Sequence, residues 1–426
     1  MTRSELCRTS IGRLISGMTT AAFVTGLVLG TFSIQVQAQT YHVLHAFSGE
    51  LDGSEPWAGL TIDAAGNLYG TTLYAGSDNH GTIFKLKHNG PGWVFSPLYS
   101  FTASDGMFTE APLTIGPDGT LFGTTVYGGA AGSGTVYNVR PPSNPCRSVL
   151  CFWAETVLHS FTGQPDGSVP GYGALVFDQA GNGYGTTTAG GINNGGVVYK
   201  LTRSQGGWTE SVAYTLAARD TGINPYSGVI FDNAGSLYGT ASTAGGLGTG
   251  TVYQLMPSGS GWAGQILYAF PVRDLGAGAA PYGGVIFDAS GNLYGTTTAG
   301  GLNNQGTIYK LIPSGGSWTE SVLYSFSGVT VGPKNGLTMD AAGNLYGTTF
   351  QGGAHQEGNV FRLSLSDGQW IYTDLYDFSG GDDGAFPIGG VAVDTNGNLY
   401  GTTEIGGTRT GNCYPDGCGV VWEITP

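Results

Sequence analysis

The chain has 426 residues, of which 40% are hydrophobic and 10% charged, with 77 glycines and a formal net charge of −14. Its excess of acidic residues repels nucleic acid and anionic lipid headgroups, and so argues against partners of either kind. The glycines fall at fixed repeat positions, and the hydrophobic fraction is that of a folded protein, which excludes a disordered low-complexity chain.

Residues 1–38 have the pattern of a secretory signal peptide. Three arginines precede a mostly apolar run, 14–34, and a small-residue cleavage site ends at Ala38. We expect cleavage there and an exported protein, periplasmic or extracellular; an uncleaved anchor is the alternative. The remaining chain has 12 basic and 28 acidic residues, a net charge of −16. It has no other stretch near the ~20 apolar residues that span a bilayer, so we expect no membrane span after cleavage.

A motif related to residues 291–301, Gly-Asn-Leu-Tyr-Gly-Thr-Thr-Thr-Ala-Gly-Gly, recurs along the chain. Its aromatic anchors are spaced by 53, 62, 54, 56, 52 and 54 residues. The seven anchors are Tyr69, Phe122, Tyr184, Tyr238, Tyr294, Tyr346 and Tyr400. Periods near 50 residues, with several short strands per unit, are typical of propeller blades.

The unit around Pro281 predicts four strands. They are 283–288, 293–298, 306–311 and 318–326, separated by Gly-, Asn- and Pro-rich turns. The first is a short apolar run typical of a strand buried on both faces, whereas the last alternates like a more exposed outer strand. We name them A to D from the axis outward, in an antiparallel blade.

The two ends of the mature chain complete one blade. Residues 41–47 match strand D, and residues 419–424 match strand C. The sequence therefore predicts an all-β, seven-bladed β-propeller of four-stranded antiparallel blades, closed by the N-terminal strand in the last blade. Residues 39–426 form one domain. The predicted boundaries are 39–54 (outer strand of blade 7), 55–102 (blade 1), 103–162 (blade 2), 163–217 (blade 3), 218–271 (blade 4), 272–327 (blade 5), 328–379 (blade 6) and 380–426 (blade 7).

Four cysteines of the mature chain form two local pairs, Cys146 with Cys151 and Cys413 with Cys418. In an oxidising compartment each pair is expected to close its own loop as a disulfide. A zinc site made by all four thiolates is the alternative, but the predicted topology puts the two pairs on opposite faces of the ring.

The recurring text Asp-x-x-Gly-Asn-Leu-Tyr-Gly-Thr-Thr, Gly-Gly and Gly-Thr-Val-Tyr-Lys-Leu resembles the Gloeo-Verruco (GloVer) repeat of exported bacterial proteins. The resemblance covers residues 40–426 and implies an exported tandem-repeat protein, in some members held at the surface by a C-terminal sorting signal. This chain stops at Pro426 without such a tail, so we expect no anchoring by that route. The strand pattern also resembles the NHL class of propellers, which mostly bind partners, although a few propellers are hydrolases or lyases.

The repeated Asp-x-x-Gly-Asn has two interpretations. One carboxylate per blade supplies too few oxygens for calcium, so we predict an Asx-type turn rather than a metal loop. The aspartates concerned are Asp63, Asp178, Asp232, Asp288, Asp340 and Asp394. We predict no resident metal or cofactor.

The D-to-A loops surround the predicted mouth of the axis and carry the candidate ligand-binding residues. Acidic groups beside flat aromatic faces suit a carbohydrate or a cationic peptide. The candidates are Asp52, Asp105, Asp166, Asp220, Asp274 and Asp383, with Trp57, Tyr172, Tyr226 and Tyr282 at the start of strand A. In the alternative, Asp-Gly is merely a good turn and the rings seal the core.

A catalytic interpretation depends on loops where the repeats differ. His80, His355, Glu357 and Glu404 lie in B-to-C loops of blades 1, 6 and 7, which closure makes neighbours. Such a set suits a divalent metal or an acid/base pair in a hydrolase or lyase. Yet the chain has no His-Glu-x-x-His, Gly-x-Ser-x-Gly or phosphate-loop motif.

We therefore expect a monomeric binding or scaffolding module rather than an enzyme. Its predicted partner is a carbohydrate or another cell-surface or extracellular polymer or protein, bound at the axial face. A passive structural surface protein is the further alternative.

Overall fold

The computed structural model describes residues 39–90, 92–143, 152–245, 248–271, 276–328 and 332–426. The predicted signal peptide, Cys146, Cys151 and Asp274 lie outside these ranges. Within them the secondary structure is β apart from one 3₁₀ turn, Gly411–Cys413. No helix in this part of the chain is long and apolar enough to cross a membrane.

The described strands form seven four-stranded antiparallel sheets, which are the blades of a β-propeller. Blade 1 has strands A to D at Thr61–Ile62, Leu68–Thr72, Thr82–Asn89 and Gly92–Ser100. Blade 2 has them at Thr114–Ile115, Leu121–Thr125, Thr135–Arg140 and Ala154–Ser160. Blade 3 has them at Val176–Phe177, Gly183–Thr187, Val197–Ser204 and Gly207–Thr215. Blades 4 and 5 have Ile230–Phe231, Leu237–Ala241, Thr251–Ser258 and Gly261–Ala269; and Ile286–Phe287, Leu293–Thr297, Thr307–Ser314 and Ser317–Ser325. Blades 6 and 7 have Thr338–Met339, Leu345–Thr349, Asn359–Ser366 and Gln369–Asp377; and Ala392–Val393, Leu399–Thr403, Val420–Thr425 and Thr40–Ala46. A short ribbon pairs Gly278–Ala279 with Ala299–Gly300.

Strand A is shorter than predicted. In blade 5 it comprises Ile286–Phe287 instead of 283–288. The preceding backbone packs against the next blade, because a Cβ built on Gly283 would lie 2.6 Å from the carbonyl carbon of Asn335. Near the axis the chain therefore contacts its neighbouring blade instead of extending its own sheet.

The predicted closure is confirmed. Strand Thr40–Ala46 pairs antiparallel with Val420–Thr425, from Thr40 opposite Thr425 to Ala46 opposite Val420. The Tyr41 ring stacks on Tyr376 of blade 6 at a centroid distance of 3.9 Å, and its hydroxyl donates a hydrogen bond to the Asp383 carbonyl at 2.5 Å. The strand therefore fixes the seam between blades 6 and 7.

The disulfide predicted between Cys413 and Cys418 is present. Both sulfur atoms pack against the segment that follows the closing strand, where a Cβ on Gly49 would lie 2.8 Å from the Cys418 sulfur. The Cys413 sulfur is 3.5 Å from the Phe47 carbonyl oxygen. This cross-link thus supports the connection from the closing strand of blade 7 to blade 1.

Each blade packs a strand-B glycine against a large ring from strand C. In blade 5, a Cβ on Gly295 would approach the Tyr309 hydroxyl to 2.4 Å, and Tyr309 is fully buried. Tyr294, beside this glycine, instead contributes to a cluster with Phe326, which follows strand D of its own blade, and Leu337 of blade 6. The seven glycine–ring pairs are Gly70–Phe84, Gly123–Tyr137, Gly185–Tyr199, Gly239–Tyr253, Gly295–Tyr309, Gly347–Phe361 and Gly401–Trp422.

The Asx-type turn predicted for Asp-x-x-Gly-Asn is confirmed. In blade 1, Asp63 Oδ1 accepts hydrogen bonds from the backbone amides of Ala65 and Asn67, each at 2.9 Å. Its Oδ2 accepts from Asn67 Nδ2 at 2.7 Å and from the Tyr69 hydroxyl at 3.0 Å. Four hydrogen bonds thus engage the carboxylate oxygens that a metal loop would need as ligands.

We expect Gly295→Ala to lower the free energy of unfolding by about 1–3 kcal/mol, because the added methyl overlaps the Tyr309 ring. Equilibrium urea denaturation measures the loss. Gly261→Ala is the matched control, since a Cβ there meets no atom within 4 Å. Equal effects of the two substitutions would contradict the packing constraint.

We expect Tyr41→Ala to cost about 2–4 kcal/mol of stability, because it removes the ring stacked across the seam. Tyr41→Phe keeps the ring and loses the hydroxyl bond, so its cost should be about 1 kcal/mol. Thermal and urea unfolding compare the two. A Tyr41→Ala protein as stable as the parent would show that the closing strand contributes little.

Candidate functional site

A left-handed turn at the start of each described axial segment positions the residues around the mouth. In blade 4, Asn224 has φ 58° and is followed by Pro225. Its amide donates to the Gly195 carbonyl of blade 3 at 2.9 Å, and its carbonyl accepts from the Ser242 amide at 3.1 Å. The equivalent left-handed residues are Glu55, Phe108, Val169, Ala280 and Phe386.

This conformation is unfavourable for non-glycine residues, costing on the order of 1 kcal/mol or more for each. Asparagine tolerates it, but the β-branched Val169, with φ 59°, does not adopt it readily. In the six turns that have a left-handed residue among the described ones, one bond to the neighbouring blade and one to the residue after strand B hold the turn, as when the Val169 amide donates to Ser133 and its carbonyl accepts from Thr188. The mouth is therefore built by backbone bonds that leave the following side chains free to vary.

A cavity of about 450 Å³ lies at the mouth, lined by one equivalent residue from each blade. Each stands two positions after the left-handed residue or its blade 6 counterpart, except in blade 3, where Gly171 is inserted and Tyr172 stands three positions after Val169. The seven residues are Trp57, Glu110, Tyr172, Tyr226, Tyr282, Lys334 and Ile388, in blade order. Thr298 and Asn335 complete the lining.

Three tyrosines from consecutive blades form one wall of this cavity, which we call the tyrosine arc: Tyr172, Tyr226 and Tyr282. The Tyr172 and Tyr226 ring centroids are 5.0 Å apart with planes inclined by 59°. Tyr226 and Tyr282 stack at 4.5 Å with planes inclined by 22°. Ring contacts of this kind order the aromatic side chains before any ligand arrives.

Charged groups occupy the other side of the mouth. Burial raises the pKa of Glu110 to about 7. Burial, and then the charge of Glu55, raise the pKa of Glu404 to about 7, against an opposing effect of Lys334. Burial lowers the pKa of Lys334, whose ammonium lies 3.6 Å from the centroid of the Phe350 ring. The mouth thus carries two carboxyl groups with raised pKa values, Glu110 in the cavity lining and Glu404 beside Trp57.

In ring order Trp57 of blade 1 lies between Glu110 of blade 2 and Ile388 of blade 7. Its indole nitrogen is buried, as is Glu404 Oε2, and neither has a hydrogen-bond partner of normal geometry among the described residues. The indole is nevertheless close enough to Glu404 to lower that carboxyl's pKa, against the larger effect of burial. The two polar atoms are therefore neighbours, both buried beside the mouth.

Four of the predicted loop aspartates form hydrogen bonds within their own loops, whereas the neighbouring aromatic residues line the cavity. Asp105 accepts from the Thr102 amide at 2.8 Å and from the Tyr99 hydroxyl at 2.6 Å, which closes its own loop. Asp52, Asp166 and Asp383 make equivalent bonds to Ser48, Thr162 and Ser379. Asp220 is exposed, and Thr221 bonds its loop instead. None of these five described aspartates lines the cavity.

The residues of the catalytic alternative are not gathered as a metal cluster. Glu404 lies beside Trp57 and Lys334, whereas His355 is exposed in its loop. Glu357 packs against Gly380, and His80 has a buried, unpaired Nδ1. Among the described residues, the group of three His, Cys, Asp or Glu side chains close enough to share an ion is a different one, His159, Asp166 and Glu210.

Sequence reasoning missed Glu110 and Ile388 as axial residues and treated Lys334 only as a break in the pattern. In blades 1, 4, 5, 6 and 7 the signal was the position one residue after the proline of the axial turn, which holds Lys334 after Pro333 and Ile388 after Pro387. In blade 2 Thr109 takes the place of that proline, so the pattern does not identify Glu110.

Fold and mouth together define a closed seven-bladed β-propeller with an axial, aromatic-lined cavity. The chain belongs to the Gloeobacter/Verrucomicrobia repeat family, whose model matches residues 9–155 and 248–426. None of the curated protein sequences compared with the chain matches it.

Solved structures share the fold at low sequence identity. The extracellular domain of a protein assigned to a hybrid two-component system of B. thetaiotaomicron has 11% identity and a TM-score of 0.55, over 90% of this chain and 39% of that one. A protein from Bacteroides uniformis provisionally assigned as a 6-phosphogluconolactonase has 12% identity and a TM-score of 0.49, over 76% and 83% of the two chains. PorZ, a surface component of the type-IX secretion system of Porphyromonas gingivalis, has 15% identity and a TM-score of 0.48, over 87% and 46%. Of these, the likeness to the extracellular domain, with its TM-score of 0.55, shows the fold alone.

We expect Glu110→Gln to stabilise the protein at pH 8 by about 1–2 kcal/mol, once partial exposure is allowed for, and to have little effect at pH 4. The pKa of Glu110 is raised from 4.5 to about 7, so the native state binds more protons than the unfolded state in that window. Stability therefore falls as pH rises between these values, and the penalty persists above pH 7. Thermal unfolding at both pH values measures it, with exposed Glu50→Gln as the control. A stabilisation that does not depend on pH would contradict the assignment.

Proposed function

We propose that this protein is an exported binding module that holds a carbohydrate chain, part of a glycan or another extracellular polymer, at the axial cavity. The tyrosine arc carries the proposal. Sugar rings present flat faces of C–H groups, and these pack on aromatic rings while their hydroxyls bond at the edges. Three ordered rings from consecutive blades offer such a surface along one wall of the cavity.

The opposite side of the mouth supplies polar partners for sugar hydroxyls. Carboxyl groups at Glu110 and Glu404, the Trp57 indole N–H and the Asn335 amide bracket the arc. Ligand sites generally combine an apolar wall with a few convergent polar groups, and a volume of about 450 Å³ is within their usual range. One or two sugar residues of a longer chain would fill the cavity, with the remainder crossing the mouth.

Export accords with the cysteine usage and with the signal-like residues 1–38. The disulfide Cys413–Cys418 is typical of oxidising compartments. A periplasmic or extracellular address would bring the mouth into contact with cell-surface glycans. The proposed protein acts as a monomer, because closure within one chain pairs the outer edge of blade 7 with its own strand.

The second candidate is a hydrolase or lyase acting on the same polymer. It is favoured by the two carboxyl groups at the mouth, Glu110 and Glu404, whose pKa values are raised to about 7, a range suited to general acid or base catalysis. Glu404 is the member of the set His80, His355, Glu357 and Glu404 that lies beside the cavity residues. A passive structural role is the remaining alternative.

We expect the purified protein to bind one class of glycan on an array, with the best ligand then measured by isothermal titration calorimetry. Trp57→Ala and Tyr282→Ala should each weaken binding by about tenfold or more, because truncating an aromatic side chain buried at a binding site typically costs more than about 1 kcal/mol of binding free energy. Phe152→Ala, which removes an exposed ring beside the outer strand of blade 2, is the control and should bind normally.

Absence of binding across the array, or equal affinity of all three variants, would contradict the proposal and favour a passive role. The enzymatic candidate has a separate readout. Incubation with the bound glycan would release shorter products, and Glu404→Gln would abolish release while retaining binding.

A further inference from the structure

The geometry points to a divalent-metal site between the outer strands of blades 2 and 3, separate from the axial cavity. We propose that His159, Asp166 and Glu210 bind one zinc-class ion. Their ligand atoms all lie within 4.8 Å of one another. His159 comes from strand D of blade 2, Asp166 from the loop into blade 3, and Glu210 from strand D of blade 3. An ion there would cross-link two blades.

The distances suit a metal with small adjustments. His159 Nε2 is 2.8 Å from Asp166 Oδ2 and 3.9 Å from Glu210 Oε2. Ligands about 2.0–2.2 Å from a tetrahedral zinc ion are about 3.3 Å apart, which lies between these two separations. Imidazole with two carboxylates is a ligand set that zinc accepts, and three protein ligands leave a position for water.

The site as it stands lacks a partner for Glu210. Its side chain is 8% exposed, and its buried Oε1 has no hydrogen-bond partner among the described residues. A neutral imidazole has a single N–H, and His159 Nε2 is directed to Asp166. Buried carboxylates require a partner, and an ion between the three side chains would supply it.

Other blade junctions have a tyrosine hydroxyl in place of the imidazole; it satisfies one acidic partner, although Glu155 Oε1 between blades 1 and 2 is buried without a hydrogen-bond partner among the described residues, as Glu210 Oε1 is. Between blades 1 and 2, the Tyr99 hydroxyl donates to Asp105 at 2.6 Å. Between blades 4 and 5, the Tyr268 hydroxyl donates to Glu320 at 2.8 Å. A phenol therefore occupies the position that His159 has between blades 2 and 3.

The junction between blades 7 and 1 has the histidine and the aspartate, but a phenylalanine takes the place of the glutamate. His45 Nε2 lies 3.1 Å from Asp52 Oδ2, but Phe95 stacks on the imidazole where Glu210 stands in blade 3. Among the described residues, histidine, aspartate and glutamate meet only between blades 2 and 3.

Calorimetric titration of the chelator-treated protein with Zn²⁺ tests the site. We expect about one ion per chain and a higher melting temperature in the presence of zinc, because the ion binds the folded state. His159→Ala and Glu210→Gln should each weaken binding by about tenfold or more. Glu210→Gln should leave the melting temperature of the metal-free protein undiminished, since the carboxylate it replaces lacks a partner.

Two matched controls test the location. His45→Ala removes the other His–Asp pair, and Glu155→Gln removes the glutamate at the equivalent position of blade 2; both should retain full zinc binding. Titration with Co²⁺ adds a spectroscopic readout, since its visible absorption reports coordination and should disappear in Glu210→Gln. No stoichiometric zinc binding, or equal losses in the controls and the site variants, would overturn the proposal.

Discussion

The contact between a strand-B glycine and a strand-C ring is the constraint on which the remaining structure depends. The ring needs the space of an absent side chain, and all seven blades meet this need with the same pair, from Gly70–Phe84 to Gly401–Trp422. With the ring lodged inside its own sheet, the aromatic residue before the glycine is free to pack toward the next blade, as Tyr294 does. One small residue thus permits both the blade core and the contact between blades.

This dependence explains why the sequence predicts the fold well. Glycine, threonine and aromatic residues recur in register, and their common spacing identified the blades, the strand order and the closing strand before any coordinates. The length of strand A was overestimated, because an apolar run such as 283–288 does not reveal whether its amides bond within the sheet or to the neighbouring blade. The close backbone approach at Gly283 decides between the two, and it depends on how neighbouring blades pack in the closed propeller.

The candidate site was only partly predictable. Trp57 and the tyrosine arc could be found, because an aromatic residue after proline at the start of strand A is visible in the repeat. The loop aspartates were expected beside them, but four of the five described ones bond their own loops, as Asp166 does to Thr162. Short-range hydrogen bonds of this kind compete with ligand binding, and sequence spacing alone does not rank the two. The carboxyl groups at the mouth belong to Glu110 and Glu404, which occupy repeat positions where the residue type differs from blade to blade.

The left-handed turns at the mouth have a consequence for how such a protein diversifies. Six of these turns are held by two backbone bonds each, so the axial residue that follows the turn is not needed for those bonds. The seven axial positions already range from Trp57 and Ile388 to Glu110 and Lys334 on one unchanged frame. The chemistry of the mouth can therefore change by point substitutions at seven positions, much as antibody loops vary on a fixed framework, while the glycines and rings beneath stay the same.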